Sequence, residues 1–302
     1  MTELLLTGAS GFIGSNVRTQ MPDSIRVTPL SVRNDDWRNV DFSKFDAVLH
    51  AAGIAHVLDG SVMDEAYHEV NCVRTLEIAE KAKKAGVGLF VFLSSIIVFG
   101  APTPAGVHAP ITPQTAPNPE NAYGKSKLDA ENGLRAMEAD SFRVAILRLP
   151  MVYGRGCKGN YTRLASLARK CPLFPAFDNR RSMLYIENLT SLIAKIVFDC
   201  PSGTYHPRDG VSRSTGEIAR AICAAWCRAG RVTSSSAQAL PASRAKAEAF
   251  AARSAIRNMQ AICRIIRRII ARLILNRRFE KPKETKNGKN AARTGNYHRP
   301  NR

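Results

Sequence analysis

The chain predicts an α/β fold in which a doubly wound parallel sheet carries a smaller C-terminal lobe. Three observations predict it. A short apolar run, Leu4-Leu5-Leu6, leads into a glycine-rich turn and then a helical pattern. A continuous apolar stretch, Leu89-Phe90-Val91-Phe92-Leu93, has the character of a strand buried on both faces, as in parallel sheets. Around them short β-rich runs alternate with helical periodicities, and 302 residues suit one large α/β unit with an appended lobe, or about two domains.

Taken in order, the first strand ends at Thr7 and is stopped by Gly8-Ala9-Ser10-Gly11-Phe12-Ile13-Gly14, after which a helix reaches about Gln20. Glycines in such a turn let the backbone approach a pyrophosphate, which rests on the amides of the helix N-terminus; a plain structural turn is the alternative. A second strand, Ile25 to Leu30, ends in Ser31-Val32-Arg33, where an acidic residue for the ribose hydroxyls is common. Arg33 is either simply exposed or accommodates a 2′-phosphate. A third strand, Asp46 to His50, runs into Ala51-Ala52-Gly53, whose small side chains would let a dinucleotide lie across the strand ends.

From Met63 to Ala85 a helix is predicted, with Ala66, Val70, Val73, Leu76 and Ala79 at helical intervals. Asn71 within it is either solvated or braces the cofactor-side strands. The fourth strand, Leu89 to Ser95, ends in two hydroxyls, and ligands of open α/β sheets bind outside such ends, which places Ser95 to hydrogen-bond a substrate oxygen. Residues 101–119, rich in Pro, Thr and Ala, read as an irregular loop over the strand ends. Tyr123 opens the next helix, and a fifth strand spans about Phe142 to Leu149 before the turn Pro150-Met151-Val152-Tyr153-Gly154. Shorter helices follow at about Tyr161 to Lys170 and Glu187 to Phe198, with Lys158, Arg180 and Arg181 in the connecting loops.

The charge is uneven. The formal net charge is +19, yet 18 Lys+Arg against 3 Asp+Glu lie after Gly230, so the first 230 residues carry only +4. A basic-patch argument therefore concerns the tail alone, and no nucleic-acid partner is expected for the body. Seven scattered cysteines offer neither a C-x-x-C pair nor metal-ligand spacing, which suits reduced thiols in the cytoplasm and no metal. The start lacks a basic region followed by an apolar run, so no secretory signal is expected. No apolar stretch reaches the roughly 20 residues of a membrane span.

Tyr123-Gly124-Lys125-Ser126-Lys127 carries the chemistry. It sets a phenol and an ammonium four residues apart, on one face of a helix. A phenol ionises near pH 10 and needs a nearby cation to exchange protons at neutral pH, a role Lys127 could fill. By itself the pentapeptide equally suits an ordinary surface Tyr and Lys.

Four motifs in this order, the Gly8 turn, Leu93-Ser94-Ser95-Ile96-Ile97-Val98-Phe99-Gly100, Tyr123-x-x-x-Lys127 and Arg148-Leu149-Pro150-Met151-Val152-Tyr153-Gly154, resemble the extended short-chain dehydrogenase/reductase family. The resemblance covers about Met1 to Gly230 and is greatest toward nucleotide-sugar epimerases and 4-reductases of bacterial surface-polysaccharide pathways. It implies a Rossmann domain over residues 1–155 that binds NAD, with NADP admitted by Arg33. Residues 156–230 would form a partly interleaved lobe for a nucleoside-diphosphate sugar. By the same resemblance Tyr123 is the general acid/base, Lys127 lowers its pKa and holds the nicotinamide ribose, and Ser95 binds the sugar oxygen. Gly8, Gly11, Phe12, Ile13 and Gly14 match the pyrophosphate turn; Asp41-Phe42 matches the pair beside the adenine. Ala51, Ala52 and Gly53 match the groove wall, joined by Asn71 and Pro150, and Arg181 matches the diphosphate-binding arginine. A homodimer is common in the family.

Two departures narrow the reaction. Family dehydratases carry Asp-Glu directly after the residue matching Ser95, where this chain has Ile96-Ile97, so dehydration is not expected. The 4-epimerases commonly place Asn where Met151 stands, which leaves epimerase and 4-reductase both open. The tail, 231–302, fits neither: either a shift of reading frame has replaced the usual C-terminus, or it is a real appendage. In the second case an amphipathic helix at about 256–275 could lie on an anionic membrane surface or cover the substrate lobe, with disorder from about Lys281. The rival readings are thus a non-catalytic dinucleotide-binding protein with a disrupted lobe and a membrane- or nucleic-acid-associated protein that acts through its basic tail.

Overall fold

The structure, a computed structural model, describes residues 1–55, 63–100, 110–112, 114–157, 159–170 and 180–234. The chain divides into two units, Met1–Thr233 and Ser234–Arg302, and the first holds the elements described below. The predicted tail helix at 256–275, the disorder from Lys281, Lys158 and most of the 101–119 loop lie outside the described residues.

The main sheet has six strands: β1 (Thr2–Thr7), β2 (Ile25–Leu30), β3 (Ala47–His50), β4 (Leu89–Ser95), β5 (Arg143–Leu149) and the short Gly203–Tyr205. Their order is β2, β1, β3, β4, β5, then Gly203–Tyr205, and every pairing is parallel. Pro29 is tolerated because β2 lies at an edge, where a missing amide breaks no inner ladder. The last strand escaped the sequence reading because its three residues, opened by glycine, form no apolar run.

Alternation along the strands feeds two cores. Leu4, Leu6, Leu49, Leu89, Val91 and Leu147 point to one face, where they meet Val17 of α1 (Phe12–Gln20) and Leu189, Ile193 and Ile196 of a late helix, Ile186–Asp199. Leu5, Val48, Phe90, Phe92, Val144 and Ile146 point to the other, against Ile78, Ala79 and Ala82 and against Ala130 and Leu134. The result is a three-layer sandwich with every central strand covered on both sides, the arrangement that a parallel sheet requires.

The helix predicted from Met63 to Ala85 is not continuous. It consists of α2 (Asp64–His68), one widened π turn over Glu69–Val73, and α3 (Arg74–Lys84). α4 (Ala122–Met137) packs beside it, and the contact is close enough that a Cβ on Gly133 would stand 2.6 Å from Leu76 Cδ2. Asn121 caps α4, its Oδ1 accepting from the Gly124 amide at 2.7 Å, which fixes where Tyr123 and Lys127 begin. Beyond β5 the chain forms two small sheets, β6 (Met151–Tyr153) parallel to β8 (Met183–Tyr185) and β7 (Arg180–Arg181) antiparallel to Arg213–Ser214. α5 (Asn160–Lys170) lies between β6 and β7 in the chain, and the Ile186–Asp199 helix is α6.

Candidate active site

The strand order reverses between β1 and β3, because the chain goes from β1 outward to β2 and returns on the other side. In an open parallel sheet that reversal leaves a crevice at the C-terminal strand ends. Gly8 fills its floor with φ +71°, and a Cβ there would stand 2.5 Å from the Ala52 amide nitrogen. Gly14 is as constrained: its Cβ would meet the Gly8 carbonyl at 2.3 Å. Among the described residues no side chain caps Gly11 at the start of α1, and the first turn holds no acidic residue. The positive helix end and its first amides are thus turned toward the crevice with no carboxylate to neutralise them, which fits a pyrophosphate. Phe12 and Ile13 pack on the core, so a ligand meets their amides rather than their side chains.

The walls of the crevice follow from the strand ends. Ala51 and Ala52 bind back to Thr7 through their amides, at 3.3 Å to its carbonyl and 3.4 Å to Oγ1. A Cβ on Gly53 would stand 2.8 Å from Asn71 Oδ1 and 3.5 Å from Lys127 Nζ. Asn71 is fully buried rather than solvated. Its Oδ1 accepts from the Ile54 amide at 2.8 Å, and its Nδ2 donates to the Ile54 carbonyl at 3.0 Å and to Ser126 Oγ at 3.3 Å. The residue therefore pins the wall to α4, and it sits in the π turn that interrupts the helix. Phe42 is 1% exposed inside the core, so its ring is not offered to a ligand, while the exposed Asp41 closes a turn with Ser43. Arg33 is exposed, and its carbonyl and that of Val32 accept from Arg74.

At the end of β4 the half-buried Ser95 stands near Tyr123, close enough for its hydroxyl to act on the phenol, and Ser95 accepts from the Ile97 amide at 3.3 Å. Tyr123 and Lys127 share one helix face as expected, but the phenol is raised above its ordinary value, not lowered. Burial raises it, the Ser95 hydroxyl works against that, and Tyr67, its ring 5.9 Å away, adds to the rise. Lys127 is turned elsewhere: Nζ donates to the Leu93 carbonyl at 3.0 Å and lies 4.6 Å above the Phe92 ring. Burial pushes this ammonium down to about 8, with Glu131 pulling it back. In this state Tyr123 is a proton donor and Lys127 borders the Gly53 wall.

The sequence reading passed over a buried clamp behind this pair. Glu131, wholly buried one turn after Lys127, accepts from Arg148 at 2.7 Å, Arg135 at 2.8 Å and Ser94 at 2.6 Å. It joins α4 to β4 and β5. Burial acts to raise its carboxyl, but the hydrogen bonds from Arg148 and Ser94 outweigh this and hold it below the usual value. Pro150 is buried where β5 turns into β6. Arg181 lies exposed on β7, paired in register with Arg213, on a different element from the Ser95–Tyr123 contact. No helix among the described residues is long and apolar enough to cross a membrane.

Comparisons with known proteins agree with the parallel, doubly wound fold. The UDP-glucose 4-epimerase of Vibrio cholerae is 33% identical over 249 residues, which cover 74% of this chain and 75% of that protein. An N-acetyl-α-D-glucosaminyl-diphospho-ditrans,octacis-undecaprenol 4-epimerase of Escherichia coli O157:H7 is 27% identical over 63% of this chain and 61% of its own length. Several other relatives are matched over about half their length. MoeE5 in complex with UDP-glucose and NAD shares the fold with a TM-score of 0.61 at 22% identity, over 74% of this chain and 81% of its own. A dTDP-4-dehydrorhamnose reductase of Clostridium acetobutylicum does so with a TM-score of 0.60 at 22% identity, over 73% and 79%. Residues 4–204 match the family model described as NAD dependent epimerase/dehydratase, and with two thirds of its length inside that match the chain belongs to this family.

Proposed function

We propose that the protein is an NAD(P)-dependent enzyme that inverts C4 of a nucleoside-diphosphate sugar through a transient 4-keto form. The observation that carries the reading is the approach of the Ser95 hydroxyl, at the C-terminal end of β4, to the Tyr123 phenol at the start of α4. It joins two hydroxyls from separate elements at the edge where the Gly8 turn and the Gly53 wall also end. Gly8, Gly11 and Gly14 would hold the pyrophosphate with the first amides of α1, and Lys127, Asn71 and Gly53 would border the nicotinamide ribose. Bound NAD would take the C4 hydride and return it to the other face of the ring. Tyr123 exchanges the proton of the C4 oxygen, and Ser95 holds that same oxygen in place. The first half, in which C4 is oxidised, requires the Tyr123 phenolate to take the C4 hydroxyl proton; the phenol so formed, the state that burial favours, then gives that proton back to the ketone oxygen as C4 is reduced. The 33% identity to a UDP-glucose 4-epimerase supports inversion over the other reactions of the family.

A second reading, reduction of a 4-keto sugar with NAD(P)H, is favoured by Met151, a thioether at the start of β6 where an amide would hold the turning sugar. The two separate on stoichiometry. An epimerase interconverts UDP-glucose and UDP-galactose without net loss of reduced cofactor, whereas a reductase consumes one NAD(P)H per product. Tyr123→Phe is expected to abolish turnover of either kind while NAD still binds; full activity in that variant would overturn the assignment.

A further inference from the structure

A hydrogen-bonded chain runs beneath the cofactor crevice through Asn71, which borders it, and through four groups that the proposed chemistry does not use, Thr7, His50, Thr75 and Ser126. Thr7, His50, Asn71, Thr75 and Ser126 are all at most 1% exposed. Thr7 Oγ1 lies 2.9 Å from His50 Nδ1, Thr75 Oγ1 lies 3.1 Å from His50 Nε2, and Thr75 Oγ1 donates to the Asn71 carbonyl at 2.8 Å. Each hydroxyl has one proton, and counting them fixes every direction. A carbonyl only accepts, so the Thr75 proton belongs to Asn71. Thr75 must then accept from His50, which requires a proton on Nε2. The neutral ring is left with a lone pair on Nδ1, which takes the Thr7 proton. Thr7 in turn accepts from the Ala52 amide at 3.4 Å. Phe90 and Phe92 stack at 5.9 and 6.2 Å from the imidazole. From Asn71 the chain passes through Ser126 Oγ, which donates to the Tyr123 carbonyl at 2.9 Å.

We propose that His50, fixed as the Nε2-protonated tautomer, is a positioning residue that ties the Gly8 turn to the π turn at Asn71, and through it to Tyr123. This rests on the functional reading above. Thr75 bonds back to the Asn71 carbonyl in the π turn, and His50 holds Thr75 there. A π turn inside an α-helix is a frequent mark of a functional site. Because the chain begins one residue before Gly8 and ends on the main chain of Tyr123, displacing its centre moves the pyrophosphate floor and the phenol together.

The test uses the full chain with Thr75→Val, which keeps the side-chain shape but removes the hydroxyl, and Thr75→Ser, which restores it. For Thr75→Val the NAD dissociation constant by calorimetry is expected to rise about tenfold, and kcat for UDP-glucose interconversion to fall about tenfold or more, with KM within about twofold of wild type. Thr75→Ser is expected to regain both. Side-chain ¹⁵N spectra of the protein without added NAD should show His50 protonated at Nε2 in wild type and lose that single signature in Thr75→Val. A folded Thr75→Val with wild-type NAD affinity and kcat would overturn the proposal. So would an Nδ1-protonated His50, or equal damage from Val and Ser. If the wild-type chain binds no NAD, the functional reading fails and this role falls with it; if wild type binds and turns over while Thr75→Val matches it, only the role of His50 fails.

Discussion

Glu131 holds Arg148 in a bidentate ion pair, with Oε2 at 2.7 Å from one guanidinium nitrogen and Oε1 at 3.1 Å from Nε, and the two side chains are 0% and 8% exposed. It lies one helical turn beyond Lys127, so the pair fixes the height of α4 over β4 and β5 and with it the site of Tyr123. Its worth lies in what breaking it leaves behind. Arg148→Met leaves the buried carboxylate with Arg135 and Ser94 alone and is expected to cost about 3 kcal/mol in urea unfolding. Adding Glu131→Gln should recover part of that, since the double variant buries no carboxylate and leaves only the half-exposed Arg135 without its partner. A single variant within about 1 kcal/mol of wild type would show that the clamp does not carry the packing of α4.

Lys127 makes stability depend on pH in alkali. Its folded value of about 8 lies below the ordinary 10.5, because burial disfavours the charge. Below about pH 8 the ammonium is charged in both states and the burial penalty is constant. Between about 8 and 10.5 the unfolded chain binds the proton that the native state has released, so stability rises with pH through this window. Relative to Lys127→Met, wild type should therefore gain a few kcal/mol between pH 8 and 10.5. Parallel stability profiles for the two proteins would refute this.

His50 acts at the other end of the scale. Burial, reinforced by the Lys127 charge, pushes it down to about 3 from the usual 6.5. As pH falls from about 6.5 to 3 the unfolded chain takes a proton that the native ring refuses, and stability drains away across that range. His50→Gln, whose amide can also accept from Thr7 and donate to Thr75, should unfold at a lower pH than wild type when followed by circular dichroism. An unchanged midpoint would place the acid sensitivity elsewhere, with the Glu131 clamp as the first alternative.

Gly14→Ala tests the turn. Its Cβ would press on the Gly8 carbonyl and on Ala9 Cα at 2.8 Å, both backbone atoms that cannot step aside singly. NAD affinity should fall at least about tenfold and the melting temperature should drop. Gly210→Ala, where a Cβ meets nothing within 4 Å, should change stability by less than about 0.5 kcal/mol and serves as the control. Equal behaviour of the two would mean that the turn tolerates a side chain.

The residues that make this fold α/β act locally, and so they were legible in the chain. Leu4-Leu5-Leu6 and Leu89 to Leu93 are apolar in succession because both faces of their strands are covered, and Gly8 is glycine because its φ is +71°. The period of a helix alone places Tyr123 and Lys127 on one face. What they do there was decided by partners far away in the chain. Leu93 and Phe92 draw off the ammonium, burial lifts the phenol, and Glu131 finds Arg148 and Ser94 on two different strands. His50 reads as the last residue of a strand and Asn71 as one polar residue in a helix. Only the parallel pairing of β1 with β3, and α3 packed on that face of the sheet, brings Thr7, His50 and Thr75 into one line, because a hydrogen bond between residues 43 apart follows from chain topology and leaves no periodic trace in the sequence.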